Sequence, residues 1–215
     1  MKKFFYGYLI LSTILSIFLI FSGCNPVAST EKSQAVIEIP DGWIQLKTDD
    51  FSICLPDSWE GGNAQELASI INTQLGTTPT ETTDSNNKSL LVFWSYDTAS
   101  SSEDIPATFN VVRVTSDISS LKDYMDKSYK NIEAASKELD SNYKIIEQQI
   151  LKMGSYDQVA RTITYQELLG NNLSMAQYII KDGMIYWIMT FSAAQKDFDA
   201  NIDNFDTAIK TTILR

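Results

Sequence analysis

Residues 143–151 (YKIIEQQIL), 158–166 (QVARTITYQ), 173–180 (LSMAQYII) and 184–191 (MIYWIMTF) form four β-rich runs in direct succession. β-branched and aromatic side chains dominate each run, as suits residues on a pleated, half-buried surface. Gly154-Ser155, Gly170-Asn171-Asn172 and Lys181-Asp182-Gly183 separate them, each with a glycine where a tight turn needs positive φ. Connections this short join only antiparallel neighbours, so the stretch predicts a four-stranded antiparallel meander.

Upstream, residues 90–96 (LLVFWSY) and 109–114 (FNVVRV) add two strands separated by a loop of Ser, Asp and Pro. Ile118, Leu121, Met125, Ile132 and Ala135 then recur at helical spacing, with Ser116 or Asp117 placed to cap that helix. Further upstream, Trp43–Lys47 and Phe51–Leu55 alternate around Thr48-Asp49-Asp50 and predict a hairpin. Pro56, which has no N–H to donate, ends its second strand. Leu67, Ile70, Ile71 and Leu75 mark one face of a short helix over Ala64–Leu75, stopped by Gly76, and residues 77–89 are polar enough to be a loop. Downstream of the meander, Phe198, Ile202, Phe205 and Ile209 line one face of a closing amphipathic helix. Strands and helices that segregate along the chain predict an α+β fold: a central, mainly antiparallel sheet of about six to eight strands flanked by helices.

The amino terminus carries a different signal. Lys2 and Lys3 precede the uncharged run Leu9–Phe21, and Ser22-Gly23-Cys24 places small residues before a cysteine. The pattern resembles a bacterial lipoprotein signal, which implies cleavage between Gly23 and Cys24 and lipid attachment at Cys24. Two or more acyl chains, at ~0.8 kcal/mol per buried methylene, hold a protein on the membrane without crossing it. The alternative is an uncleaved membrane anchor, since Phe4–Phe21 matches the roughly 17 to 25 residues that span a bilayer. The expected organisation is a signal peptide over 1–23, the lipidated cysteine and a flexible tether over 24–35, and one domain over 36–215.

Charge and residue inventory narrow the chemistry. The chain has 17 basic and 27 acidic residues, a formal net charge of -10. Loss of residues 1–23 would remove Lys2 and Lys3 alone and make the balance more acidic. Such a surface repels phosphate backbones and anionic headgroups, so nucleic acid is not an expected partner and lipid, not charge, is the expected membrane contact. Histidine is absent, which excludes Ser-His-Asp and Cys-His catalysis and every histidine-containing metal site. Nine glycines compose neither phosphate-binding pattern, so no nucleotide or other cofactor is expected. Cys54, in the apolar run Phe51–Leu55, reads as a small buried thiol.

Three weaker patterns remain. Ser119-Ser120-Leu121-Lys122 matches S-x-x-K, in which a lysine activates a serine, but the companion motifs are missing and a helix surface is the simpler reading. Asp197, Asp199, Asp203 and Asp206 offer oxygen ligands without a calcium-loop spacing, and a solvated acidic helix face accounts for them. Trp94, Tyr96, Tyr186 and Trp187 fit core packing, although one ring of each neighbouring pair is free to face outward. No catalytic, cofactor-binding or metal-binding residue is assigned.

The order of elements, together with Cys54-Leu55-Pro56-Asp57-Ser58-Trp59, Gly154-Ser155-Tyr156, Lys181–Tyr186 and Phe205–Ile209, resembles the PsbP/Mog-like fold from about Trp43 to Leu214. The resemblance implies an α/β/α sandwich. It also implies mostly non-enzymatic roles, since known members are extrinsic photosystem II subunits that help retain calcium, a Ran-binding import factor and bacterial envelope proteins. The cation-retaining histidines of the photosynthetic branch have no counterpart in a chain without histidine. Fold does not by itself carry function. The expectation is therefore a non-catalytic, lipid-anchored accessory or binding module on the extracytoplasmic face of the cell membrane, with an envelope protein as partner. An extrinsic subunit of a membrane complex of the PsbP type, with a link to calcium as one form of it, is second, and an enzyme of unrecognised mechanism is third.

Overall fold

The computed structural model describes residues 38–63, 91–100, 106–138, 142–168 and 171–215. Gly23, Cys24, the tether, the expected helix over Ala64–Leu75 and the loop after it lie outside the described residues.

Strands β1 (Trp43–Lys47) and β2 (Phe51–Pro56) form the expected hairpin, with Trp43 opposite Pro56 and Lys47 opposite Ser52. β3 (Trp59–Asn63), β4 (Leu91–Asp97) and β5 (Thr108–Thr115) follow, then helix α1 (Leu121–Glu138). The meander is β6 (Asn142–Met153), β7 (Tyr156–Leu168), β8 (Asn171–Asp182) and β9 (Ile185–Ala194), and helix α2 (Gln195–Lys210) and β10 (Ile213–Leu214) close the chain. Every meander strand outlasts its expected run by one to several residues.

Seven strands build the main sheet in the order β3-β4-β5-β9-β8-β7-β6, all neighbours antiparallel. From β5 the chain crosses through α1 to the far edge, and the meander then walks back until β9 pairs with β5. The hairpin belongs to a second, three-stranded sheet, β1-β2-β10. This is an α+β sandwich.

Alternation along β9 divides the core. Tyr186 and Ile188 point to the α1 face, where they meet Val112, Tyr124 and Met125, and Trp187, Met189 and Phe191 point to the other, against α2 and the small sheet. On that second face the rings of Phe109, Phe191 and Phe205 stack at centroid distances of 4.3 Å each, and Trp59 meets Phe191 and Phe205 edge-on. Trp59 is the aromatic residue of the Pro-x-x-Trp motif and is 4% exposed. That motif is therefore a packing device: Pro56 ends β2, and the next turn swings Trp59 from the small sheet into the main core. Loss of so large a buried ring costs ~3 to 5 kcal/mol.

Two local expectations change. β3 is a strand that propensity did not indicate, because Gly61 and Gly62 contribute no side chain to a pattern; its pairing with β4, from Trp59 opposite Asp97 to Asn63 opposite Phe93, makes it one. The cap of α1 is Ser120, not Ser116 or Asp117. The Asp123 N–H donates to Ser120 Oγ at 3.0 Å and the Tyr124 N–H to the Ser120 carbonyl at 3.1 Å. Ser116 Oγ instead accepts from the Ile118 N–H at 3.3 Å, holding the turn that leads into the helix.

Candidate functional site

An open depression of about 670 Å³ lies where the amino end of α1 meets the β6–β7 hairpin and β8. Ser119, Ser120 and Lys122 form one wall, Ser155–Gln158 a second, and Ile150 and Lys181 complete the rim. Four of its polar residues, Ser120, Lys122, Asp157 and Lys181, are engaged within the chain. Ser120 caps α1, Lys122 Nζ donates to Asp126 Oδ2 at 2.6 Å, Lys152 pairs with Asp157 at 2.8 Å, and Lys181 Nζ donates to the Gly183 carbonyl at 2.6 Å.

This geometry bears directly on the S-x-x-K pattern. A lysine that deprotonates serine must itself be neutral, which requires a lowered pKa. The Asp126 carboxylate, by hydrogen bond and by charge, raises that of Lys122, and 66% of the Lys122 side chain is exposed. Ser119 is exposed as well. The pair is a capped helix start with a surface i,i+4 ion pair, as the simpler sequence reading has it.

The strongest electrostatic feature is a knot at Arg161 that sequence reading missed. β7 places Arg161 on the α2 face, where its guanidinium bonds Glu147 of β6 on one side and Asp206 Oδ2 of α2, at 2.6 Å, on the other. Tyr178 of β8 donates its hydroxyl to Asp206 Oδ1 at 2.7 Å. Burial opposes the charge on Arg161, but the hydrogen bonds and negative charges of Glu147 and Asp206 outweigh it and its pKa rises. The Tyr178 phenol is pushed far up, first by burial and then by the Asp206 carboxylate. Three strands and a helix are thus tied through four side chains. An arginine cannot be deprotonated and a phenol so shifted stays neutral, so the knot is a fastening and not a proton relay.

Asp206 therefore departs from the solvated acidic face expected of α2. Asp197 departs too: it is 7% exposed and accepts from Ser100 Oγ at 2.7 Å, while Ser100 Oγ accepts from the Ala107 N–H at 3.2 Å. Only Asp199 and Asp203 of the four face water. The helix turn separates these carboxylates, and among the described residues no group of three or more acidic or thiol side chains is placed to hold a metal ion.

The aromatic candidates are packing residues. Tyr186 and Trp187 are both buried, one on each face of β9. Trp94, on the face of β4 opposite Phe93, is 7% exposed and stacks on Tyr96 at 5.6 Å and 14°. Cys54 is buried as expected. Its N–H donates to Thr211 Oγ1 at 2.9 Å, and burial pushes its thiol pKa up, so it lacks the thiolate character of a reactive cysteine. No helix of the described residues is long and apolar enough to cross a membrane.

No protein-family model matches the chain, and no curated protein sequence matches it. Solved structures do. The solution structure of cyanobacterial PsbP (CyanoP) from Synechocystis sp. PCC 6803 aligns over 86% of this chain and 98% of its own, with a TM-score of 0.55 and 11% identity. The crystal structure of the Saccharomyces cerevisiae Ran-binding protein Mog1p aligns over 82% of this chain and 96% of its own, with a TM-score of 0.50 and 7% identity. At such identities the likeness is one of architecture, and it gives this chain the PsbP/Mog-like fold.

Proposed function

We propose that this chain is a non-catalytic binding or accessory module, exported by a signal over residues 1–23 and held on the extracytoplasmic face of the cell membrane by lipid on Cys24. There it acts through contacts with an envelope protein. The carrying observation is the state of the polar groups around the depression at the amino end of α1. Ser120, Lys122 and Lys181 are already bonded within the chain, and the depression is open, whereas sites for small molecules bury ~70 to 90% of the ligand. Such a surface suits another protein better than a substrate. The neighbours of known structure support the same reading, because one is named as a Ran-binding protein.

An extrinsic subunit of a membrane complex is the second reading, favoured by an alignment that covers 98% of cyanobacterial PsbP. Its calcium-linked form has no acidic cluster among the described residues to rest on. Affinity capture from detergent-solubilised membranes tests the module reading. The full chain should retain the same envelope protein in repeated preparations, and a Ser155→Trp variant, which fills the depression, should retain less. Recovery of no reproducible partner would count against a binding role.

A further inference from the structure

We propose that the core between the second half of α1 and the sheet is a binding site for one water molecule, held in a polar cavity as a fixed part of the fold. The first half of α1 packs apolar on apolar: Leu121, Tyr124 and Met125 cluster with Val112, Ile179, Tyr186 and Ile188. Further along the helix the facing surface of the sheet turns polar. Alternation from Ile188 and Ile179 brings Thr190 and Gln177 to the α1 side, and alternation from Ala160 brings Thr162 and Thr164. Thr190 stands opposite Gln177, and Gln177 opposite Thr162, so they form one row across β9, β8 and β7. These two, Thr162 and Thr164 are all at most 7% exposed. Buried hydroxyls and amides require partners, and a core that contains a row of them has to supply those partners.

Direct bonds satisfy only part of the row. The Tyr129 hydroxyl donates to Gln177 Oε1 at 3.0 Å, and Gln177 Nε2 donates to Thr190 Oγ1 at 3.3 Å. The second amide N–H of Gln177 and the Thr190 proton are left to donate. The buried Tyr143 hydroxyl has no bonding partner; Thr164 lies near enough to act on its pKa but not in bonding geometry. These groups converge. They line one cavity of about 20 Å³, with Tyr129 and Ile132 of α1 on one side, Thr164, Gln177 and Thr190 of the sheet on the other, and Tyr143 of β6 beside them. Volume selects the occupant. A water needs ~10 to 15 Å³ of such space and ~2 to 4 polar partners, and this cavity offers both, whereas an apolar cavity stays dry. No carboxylate is among the lining residues to neutralise a cation, and hydroxyls with an amide suit a neutral molecule that both donates and accepts.

Oxygen-17 magnetic relaxation dispersion of the full chain in detergent tests the site, because it counts waters held inside a protein and is blind to the exchange of hydroxyl protons. Tyr143→Phe combined with Thr164→Val and Thr190→Val leaves no strand hydroxyl facing the cavity. The dispersion amplitude should then fall by the equivalent of one water relative to the parent. Tyr165→Phe with Thr207→Val removes hydroxyls outside the cavity and should leave the amplitude unchanged. Equal amplitudes in the parent and the triple variant overturn the proposal. If the triple variant does not fold, a high-resolution crystal structure of the parent decides. Density inside the cavity at ~2.7 to 2.8 Å from Tyr143 Oη is the expected result. A Tyr143 hydroxyl bonded directly to Thr164, with no density in the cavity, overturns the proposal.

Discussion

Replacing Arg161 with methionine isolates the fastening of the meander to α2, because the aliphatic stem stays and only the guanidinium leaves. The side chain is 13% exposed, and its partners Glu147 and Asp206 are 34% and 21% exposed, so the knot lies between a surface pair and a fully buried one. Exposed pairs contribute ~0 to 1 kcal/mol, whereas removing one partner of a buried pair costs ~3 to 5 kcal/mol. Partial access of water to both carboxylates places Arg161→Met at about 2 to 3 kcal/mol. Asp206 would keep the Tyr178 hydroxyl and Glu147 would turn toward solvent, which limits the loss. For a domain of this size the cost corresponds to a fall in Tm of roughly 4 to 12 °C, read by circular dichroism. A double-mutant cycle with Asp206→Asn should give a coupling of about 1 to 2 kcal/mol, since the amide that replaces the carboxylate leaves no charge behind when Arg161 is gone. Arg161→Met within about 0.5 kcal/mol of the parent, with no coupling to Asp206→Asn, would refute the assignment and leave the knot a surface ornament.

Two further outcomes follow from the same packing. Gly154 and Gly183 both have φ near +60°, but a Cβ on Gly154 would run into the Lys210 carbonyl, while one on Gly183 meets nothing within 4 Å. Gly183→Ala should therefore cost only the left-handed backbone, ~1 to 2 kcal/mol, and Gly154→Ala about 1 to 3 kcal/mol more; equal melting temperatures for the two would contradict the close approach of the β6–β7 turn to α2. At alkaline pH the buried phenols decide stability. Burial pushes Tyr124 up to about 12 and raises Tyr129 and Tyr178 further, so in the unfolded chain each loses its proton near pH ~10 while in the folded chain it cannot. A raised folded pKa gives stability that is complete below pH ~10 and is lost above it, at about 1.4 kcal/mol per pH unit for each phenol. Absorbance at the phenolate band and the loss of circular dichroism should rise together in one transition; full titration of all tyrosines in a still-folded chain would contradict this.

Much of the fold was legible because the meander signals are local. Each glycine turn lies next to its strands, and a strand of four or five alternating residues announces itself without its partner. β3 was illegible for the opposite reason: Trp59-Glu60-Gly61-Gly62 has no pattern, and only the register with β4 holds it extended. Ser116, Asp117 and Ser120 all have capping chemistry, and the choice of Ser120 depends on where β5 releases the chain. The solvated face expected of α2 failed at Asp197 and Asp206, whose partners Ser100, Arg161 and Tyr178 come from three other parts of the chain. Helical spacing tells which carboxylates share a face but not what stands opposite. The Arg161 knot was invisible on the same ground.

Lipid attachment at Cys24 is the claim on which location and role both depend, and metabolic labelling with radioactive palmitate tests it most directly. The parent chain should take up label, fractionate with membranes and begin at residue 24. The Cys24→Ser variant should take up none and should no longer be cut between residues 23 and 24. A parent without label, or a Cys24→Ser variant that is still cut at the same bond and still sediments with membranes, would contradict the account.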